Sequence, residues 1–536
     1  MKTFVRQHEG SIHGVLCGFD RVRFRGTLRS ISFADGFFKY LCFLHVLLKA
    51  FAVFLDGTSR KLRLATERLA KTTSAGKVIY LSGTRDKQQV VDDLIQKHGL
   101  AEDFMGLIAV LSCVENCRGF ELRKNADAGK LQLCSAFRKC LHYYLYLRHP
   151  RFGRMHLRIM TWFPMQVQIC LNGREWLARQ LDVAGIRYER RDNSFAWVSD
   201  FGRAQAFLDE QVRTDWPKAL SELLREVHPE FERLRIGLQL RDYYWTAEQT
   251  EVATDVAFRS EAVLQPLYRC WLRHAIESLS SADVMRFLQQ RLTASGAIDG
   301  RFRGEVVSDL KIRREGTRVK HRLGPNSVKM YDKFGVVLRV ETTIHEAEGL
   351  KVYRPKENDP EQKPAWRPLR RGVADLHRRF ELSRRSNEAY LEALSVVDCP
   401  ETLDCLAATA SRSVTRRGRR YRGLNVLSAE DGRLLQAIQR GEYAITGFRN
   451  RDVRERLFGR ASSGPEAKKH SGQTTRRLQL LQAHGLIRRV AQSHRYRITT
   501  LGRKLASAVS YAKDSSLKAL GNAHEIALSD AKSAHE

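Results

Sequence analysis

The chain is short of acid. Against 92 lysines and arginines stand only 60 aspartates and glutamates, which leaves a formal net charge of +32 over 536 residues. Most of that excess is arginine, whose guanidinium forks onto phosphate oxygens, and this predicts a polyanionic partner, DNA and/or RNA. An uninterrupted apolar run is also missing: the longest, Phe37 to Leu55, is broken by Lys39, His45 and Lys49. It therefore reads as a buried helix and not as a membrane span. The ten cysteines are scattered, and no secretory signal precedes them, so they read as reduced thiols of a cytoplasmic protein. Cys113 and Cys117, with Cys134, Cys140 and His142 nearby, lack the spacing of a zinc ribbon or finger. They read as buried free thiols. No P-loop, dinucleotide fingerprint or Ser/His/Asp order occurs.

At this length, with 43% hydrophobic and 28% charged residues, the chain predicts a globular protein of about three domains. The expected class is multidomain α/β and α+β, with antiparallel β-sheet regions, a helical block and a C-terminal winged helix. Residues 1–105 alternate strand and helix, and 106–202 change to a period of 2, which makes an antiparallel meander with turns at His149-Pro150 and Asn172-Gly173. Residues 203–300 show apolar spacing of helical type, and 301–348 return to β. Pro-rich 349–372 reads as a linker, 373–426 as a helical connector, 427–510 as the winged-helix domain and 511–536 as a flexible tail. Oligomeric state is left open.

The C-terminal order is explicit. A helix carrying Leu434, Leu435 and Ile438 follows the N-cap Ser428, and a second runs from about Arg449 to Phe458. After a loop from Ser462 to Gly472, a third helix from Gln473 to Ala483 presents Gln473, Thr475, Arg476 and Arg477 near its N-terminal end, where a recognition helix meets base edges. Two strands then flank a polar turn that contains His494 and Arg495. The string HGLIRRV…HRYRITTLGR resembles the helix-wing-helix end of MarR-like winged-helix proteins, over about residues 427–505. The resemblance implies DNA binding; a winged helix that mediates protein contacts is the alternative.

Three further clusters bear on chemistry. In HRLGPNSVKMYDKFGVVLRVETTI, a three-residue turn at Phe334-Gly335-Val336 pairs Tyr331 with Arg339 and Lys329 with Glu341 on one face. Met330 then pairs with Val340, and Val328 with Thr342, on the other, so one face is apolar and one is armed. Glu248, Glu251 and Asp255, at i, i+3 and i+7, fall on one face if the segment is helical, a spacing able to hold Mg²⁺ or Mn²⁺. His149-Pro150-Arg151-Phe152-Gly153-Arg154 interleaves aromatic and basic residues, and Arg151 and Arg154 are candidate nucleic-acid contacts.

VKMYDK and LRVETT, within residues 326–344, resemble the strand pair of rolling-circle replication initiators. That resemblance implies Tyr331 as a nucleophile, Lys329 and Lys333 as phosphate clamps beside Arg339, and Glu341, His321 or Asp309 at a metal. The sequence departs from that pattern in having no His-hydrophobe-His motif; His156-Leu157-Arg158 comes nearest. The leading expectation is a metal-dependent DNA- or RNA-processing protein of a mobile or replicative element: an initiator, nickase or transposition nuclease. The alternative is a non-enzymatic nucleic-acid binder, a regulator or ribonucleoprotein subunit. The two differ in whether carboxylates converge within metal reach among basic residues.

Overall fold

The computed structural model describes residues 1–83, 85–124, 130–290, 304–356, 363–395, 397, 403–416, 418–440, 443, 447–461, 463–490 and 493–514. Fifteen strands form the main body: β1 Ile12–Thr27, β2 Val78–Leu81, β3 Gly106–Lys124, β4 Leu131–His149, β5 Gly153–Met160, β6 Val167–Asn172, β7 Tyr188–Arg191, β8 Ser194–Val198, β9 Tyr244–Phe258, β10 Val306–Arg313, β11 Gly316–Leu323, β12 Asn326–Lys333, β13 Val337–Ile344, β14 Lys351–Arg354 and β15 Ala365–Pro368. Eleven of them make one sheet, in the order β10-β11-β12-β13-β9-β1-β6-β5-β4-β3-β2. Among the described residues only the β2–β3 pair is parallel. Strands from 1–105, 106–202, 203–300 and 301–348 all join this sheet, so these four stretches are not separate regions.

The helical reading of 203–300 fails at β9. Thr250, Val252, Thr254 and Val256 alternate along it, a β-branched run at period 2 that packs well on a pleated surface, and all four are buried. The helices that flank it, including Phe201–Arg213, Trp216–Val227 and Glu261–Glu277, do form. In the expected linker, β14 and β15 pair as a hairpin. Phe37 to Leu55 is not one helix either: Ala34–Phe43 and Phe51–Ala70 are joined through a 3₁₀ turn. Among the described residues no single helix is long and apolar enough to cross a membrane.

One face of the sheet is apolar throughout. Val22, Ile169, Leu157 and Leu145 cross β1, β6, β5 and β4, while Val256, Val340, Met330 and Val319 cross the other half, and all are buried. Helix Glu261–Glu277 lays Tyr268 and Trp271 into this second cluster. Helix Leu376–Leu394 closes the centre, its Asn387 bonding the Val252 carbonyl at 3.0 Å and the Thr342 hydroxyl at 2.7 Å. Each such apolar side chain contributes about 1.5–3 kcal/mol on burial.

The opposite face is only half covered. Over the Ile12–Phe19 half of β1 lies helix Phe201–Arg213, so close that a Cβ on Gly18 would meet the Leu208 Cδ2 at 2.6 Å. Hairpin β7–β8 shields the neighbouring part of β9 and β13. Where these end, the face opens, and Arg21 and Arg25 reach solvent.

In the C-terminal part, helices Ala429–Ile438, Asn450–Phe458 and Gly464–Ala483, strands Ile487–Arg489 and Tyr496–Ile498, and helix Thr500–Asp514 follow one another. They enclose a core that includes Leu434, Ile438, Val453, Leu481, Leu486 and Leu505. The stretch read as a loop up to Gly472 is helical from Gly464, with Ser463 as its N-cap and Pro465 in its first turn.

Candidate metal centre

The site is built on a register shift. Phe19 pairs with Val252 and Arg21 with Glu251, leaving Asp20 as the extra residue of a β-bulge. The core records it: Phe19 and Val22 stand three apart in sequence, yet both are buried in the same cluster. In a regular strand Asp20 would share the apolar face of Val22 and Phe24. The bulge turns it instead to the polar face, beside Arg21 and Glu251.

A buried clamp fixes that carboxylate. The fully buried guanidinium of Arg339 meets Asp255 at 2.6 and 2.9 Å, Asp20 at 3.0 Å and the Asn193 carbonyl on the β7–β8 turn at 2.5 Å. Arg174, at the start of helix Gly173–Val183, reaches Asp255 at 2.8 Å. Burial alone would raise the Asp20 carboxyl, but Arg339 and Arg174 outweigh it and hold it below the usual range.

Asp20, Glu251 and Glu341 come from three neighbouring strands, and one carboxylate oxygen from each lies within 4.8 Å of the other two. The Lys329 ammonium stands 2.5 Å from Glu341. Burial pushes Lys329 down, but Glu341 and Glu251 more than reverse this and keep it charged. Glu251 moves the other way: burial, then the like charge of Glu341, raise its carboxyl above the usual range. Lys329 and Arg21 only partly offset this, and Glu251 accepts a hydrogen bond from the Gln249 side-chain amide at 2.7 Å. Hard oxygen donors suit a hard divalent ion such as Mg²⁺ or Mn²⁺ better than a thiophilic one.

Cations crowd the open face around this pocket and depress one another. Lys320 is lowered by burial and by Lys329; Arg25 by burial, Arg158 and Arg371; His345 by burial, Arg23 and Lys320. Mutual repulsion of this kind is relieved by an anion with closely spaced charges.

The hairpin register is as read from the sequence: Lys329↔Glu341, Met330↔Val340 and Tyr331↔Arg339. Tyr331 lies on the armed face, with its hydroxyl pushed up by burial and by Glu341. Other expected site residues lie elsewhere. His321 falls at the alternate position and faces the apolar side, its ring 3.0 Å from the Tyr390 hydroxyl, so it cannot join Glu341. Asp309 is on β10, three strands from Glu341, and is held by Arg318 at 2.5 Å. Asp255 is consumed by Arg339 and Arg174. Glu248 occupies a second bulge and pairs with Arg25 and Gln168. Glu251 and Asp255 do share a face, through strand alternation and not through a helix.

Among the expected phosphate contacts, Arg339 is fully buried and unreachable. Lys333 is 5% exposed and sits between Asp192 and Glu315, at 3.8 and 3.9 Å. Arg154 pairs with Asp92, whereas Arg151 is exposed beside the Phe152 ring. In the C-terminal part Arg476 and His494 are exposed and Gln473 is half-buried. Thr475 accepts from Asn450 at 2.8 Å, Arg477 pairs with Glu430 at 2.6 Å, and Arg495 lies 3.5 Å from the Gly447 carbonyl. Cys117 and Cys140 are buried 2.9 Å apart, which agrees with free thiols.

Sequence reasoning missed Asp20, Arg21 and Lys320. The readable sign was DRVRFR, in which Arg21, Arg23 and Arg25 alternate with Val22 and Phe24. No family model, no curated protein and no solved structure matches the chain.

Proposed function

We propose that this is a metal-dependent nucleic-acid-processing protein that cleaves phosphodiester bonds on the open face of its large sheet. The observation that carries this reading is the convergence of Asp20, Glu251 and Glu341 within 4.8 Å, beside Lys329, in a chain of net charge +32. Asp20, Glu251 and Glu341 would hold Mg²⁺ or Mn²⁺, and such an ion supplies Lewis-acid polarisation of a phosphoryl oxygen. The chain's own residues do the rest. Arg339 and Arg174 fix Asp20 in place, Lys329 orients Glu341 and adds positive charge, and Arg21 and Arg23 hold the backbone on either side of the reacting phosphate.

The resemblance of VKMYDK and LRVETT favours an initiator or nickase of a mobile or replicative element. Tyr331, on the armed face with Lys329, is then the candidate for a covalent link to the cut strand. The C-terminal elements support a winged helix that adds duplex affinity, with Arg476 and His494 exposed for it. A second reading, a non-enzymatic nucleic-acid binder, is favoured by one feature: Asp20 and Glu341 each already have a cationic partner.

Incubation of labelled single-stranded DNA, duplex DNA and RNA with Mg²⁺, with Mn²⁺ or with EDTA, resolved on a denaturing gel, tests the first reading. Metal-dependent cleavage is expected. Tight binding with intact substrate in every lane would favour the second.

A further inference from the structure

Hairpin β14–β15 carries two aromatic rings where solvent would ordinarily be met by polar side chains. Tyr353 and Trp366 are cross-strand partners, each 62% exposed, with ring centroids 5.8 Å apart and planes at 62°. Burial for the hairpin comes from the other side: Val352 packs with Ile344, Leu350 and Leu369. The rings are therefore surplus to the core, and Lys351, two residues before Tyr353, shares their face of the hairpin.

The hairpin is tied to the head of β9. Beyond β15 the chain returns to the head of β9, where the Arg371 carbonyl accepts from the Ala247 amide at 2.8 Å and Gly372 bridges Thr246. Thr246 is the register partner of Arg25. From Arg25 the alternating arginines lead along β1 to Asp20 and Glu251, a path of roughly 15 Å at about 3.3 Å per residue, two or three nucleotides long. At the same end Arg29 lies 3.3 Å over the half-exposed Tyr244 ring.

We propose that Tyr353 and Trp366 form a base-stacking platform for a single-stranded polynucleotide, whose backbone then follows Arg25, Arg23 and Arg21 to the carboxylates. This rests on the reading of the open face as a nucleic-acid surface. Stacking demands unpaired bases, because the rings of a duplex are already covered by their neighbours, so the platform selects single strands. Every base offers a π-face, so it selects them with little sequence preference. A cationic track beside exposed aromatics fits this polyanion and leaves nothing for a plain duplex to stack on.

The test is fluorescence anisotropy in EDTA, which separates binding from cleavage, with labelled oligodeoxythymidine, oligouridine and a DNA duplex as probes. Tyr353→Ala/Trp366→Ala should weaken single-strand binding by about tenfold or more and duplex binding by less than about twofold. Tyr353→Phe/Trp366→Phe keeps the rings and should stay within about threefold of the parent, which separates stacking from a damaged hairpin. The deoxy and ribo probes distinguish DNA from RNA as the source of the strand. Single-strand affinity unchanged in the alanine variant, with parent binding intact, overturns the platform alone. A parent chain that binds none of the probes overturns the reading of the open face itself.

Discussion

Lys329 and Glu341 face each other across the β12–β13 hairpin, ammonium to carboxylate at 2.5 Å, both nearly closed to solvent. Removing one member strands the other in a poor dielectric beside Glu251. Lys329→Met should therefore destabilise the metal-free protein by about 3 kcal/mol. Mn²⁺ should recover part of the loss, because the ion replaces the missing charge. Thermal unfolding with and without Mn²⁺ checks both parts.

Arg339 has the larger structural task, since its fork holds Asp20 and Asp255 together. Arg339→Met leaves two buried carboxylates and should cost about 3–5 kcal/mol. Arg339→Lys should rescue little, because one ammonium cannot serve both sides of the fork. Chemical denaturation of the three proteins ranks them.

Metal binding should depend on pH through Glu251. Its folded carboxyl is raised above the unfolded value, so in the metal-free protein the stability it contributes is present at low pH and is lost as pH rises through the folded value. A divalent ion reverses that loss. The melting-temperature gain from Mg²⁺ should thus be larger at pH 7.5 than at pH 5, and Glu251→Gln should flatten the difference.

Acid should unfold the protein through its histidines. Burial holds His142, His156, His228, His274 and His321 at about 4, below an ordinary value of 6.5. Depressed folded values mean that stability is full above 6.5 and is lost as the pH falls towards 4, where the unfolded chain takes up protons the native state refuses. A pH titration of the melting temperature should fall steeply through that window, and His321→Gln should make it shallower.

Much of this was legible in the sequence, but unevenly. The β12–β13 register could be read because only one turn length sorts Val328, Met330 and Val340 from Lys329, Tyr331 and Glu341. Glu251 was found by a false route: i, i+3 and i+7 mimic a helical stripe, while the alternation of Thr250, Val252, Thr254 and Val256 that decides for a strand lay in the same residues. Asp20 escaped because a bulge breaks the very periodicity by which strands are read. Arg339 looked like a phosphate contact because its partners, Asp255 and Asp20, lie 84 and 319 residues away. Side-chain type announced charge; only the sheet order decided which charges neutralise each other and which are left over.

Direct titration of Mn²⁺ into the purified chain, followed by calorimetry and by the electron-spin signal of the free ion, tests the centre most immediately. One site per chain in the parent protein, lost in Glu251→Gln while the variant's circular dichroism stays unchanged, is the predicted result. No bound Mn²⁺ in the parent, or undiminished binding in the variant, would contradict a metal centre at Asp20, Glu251 and Glu341.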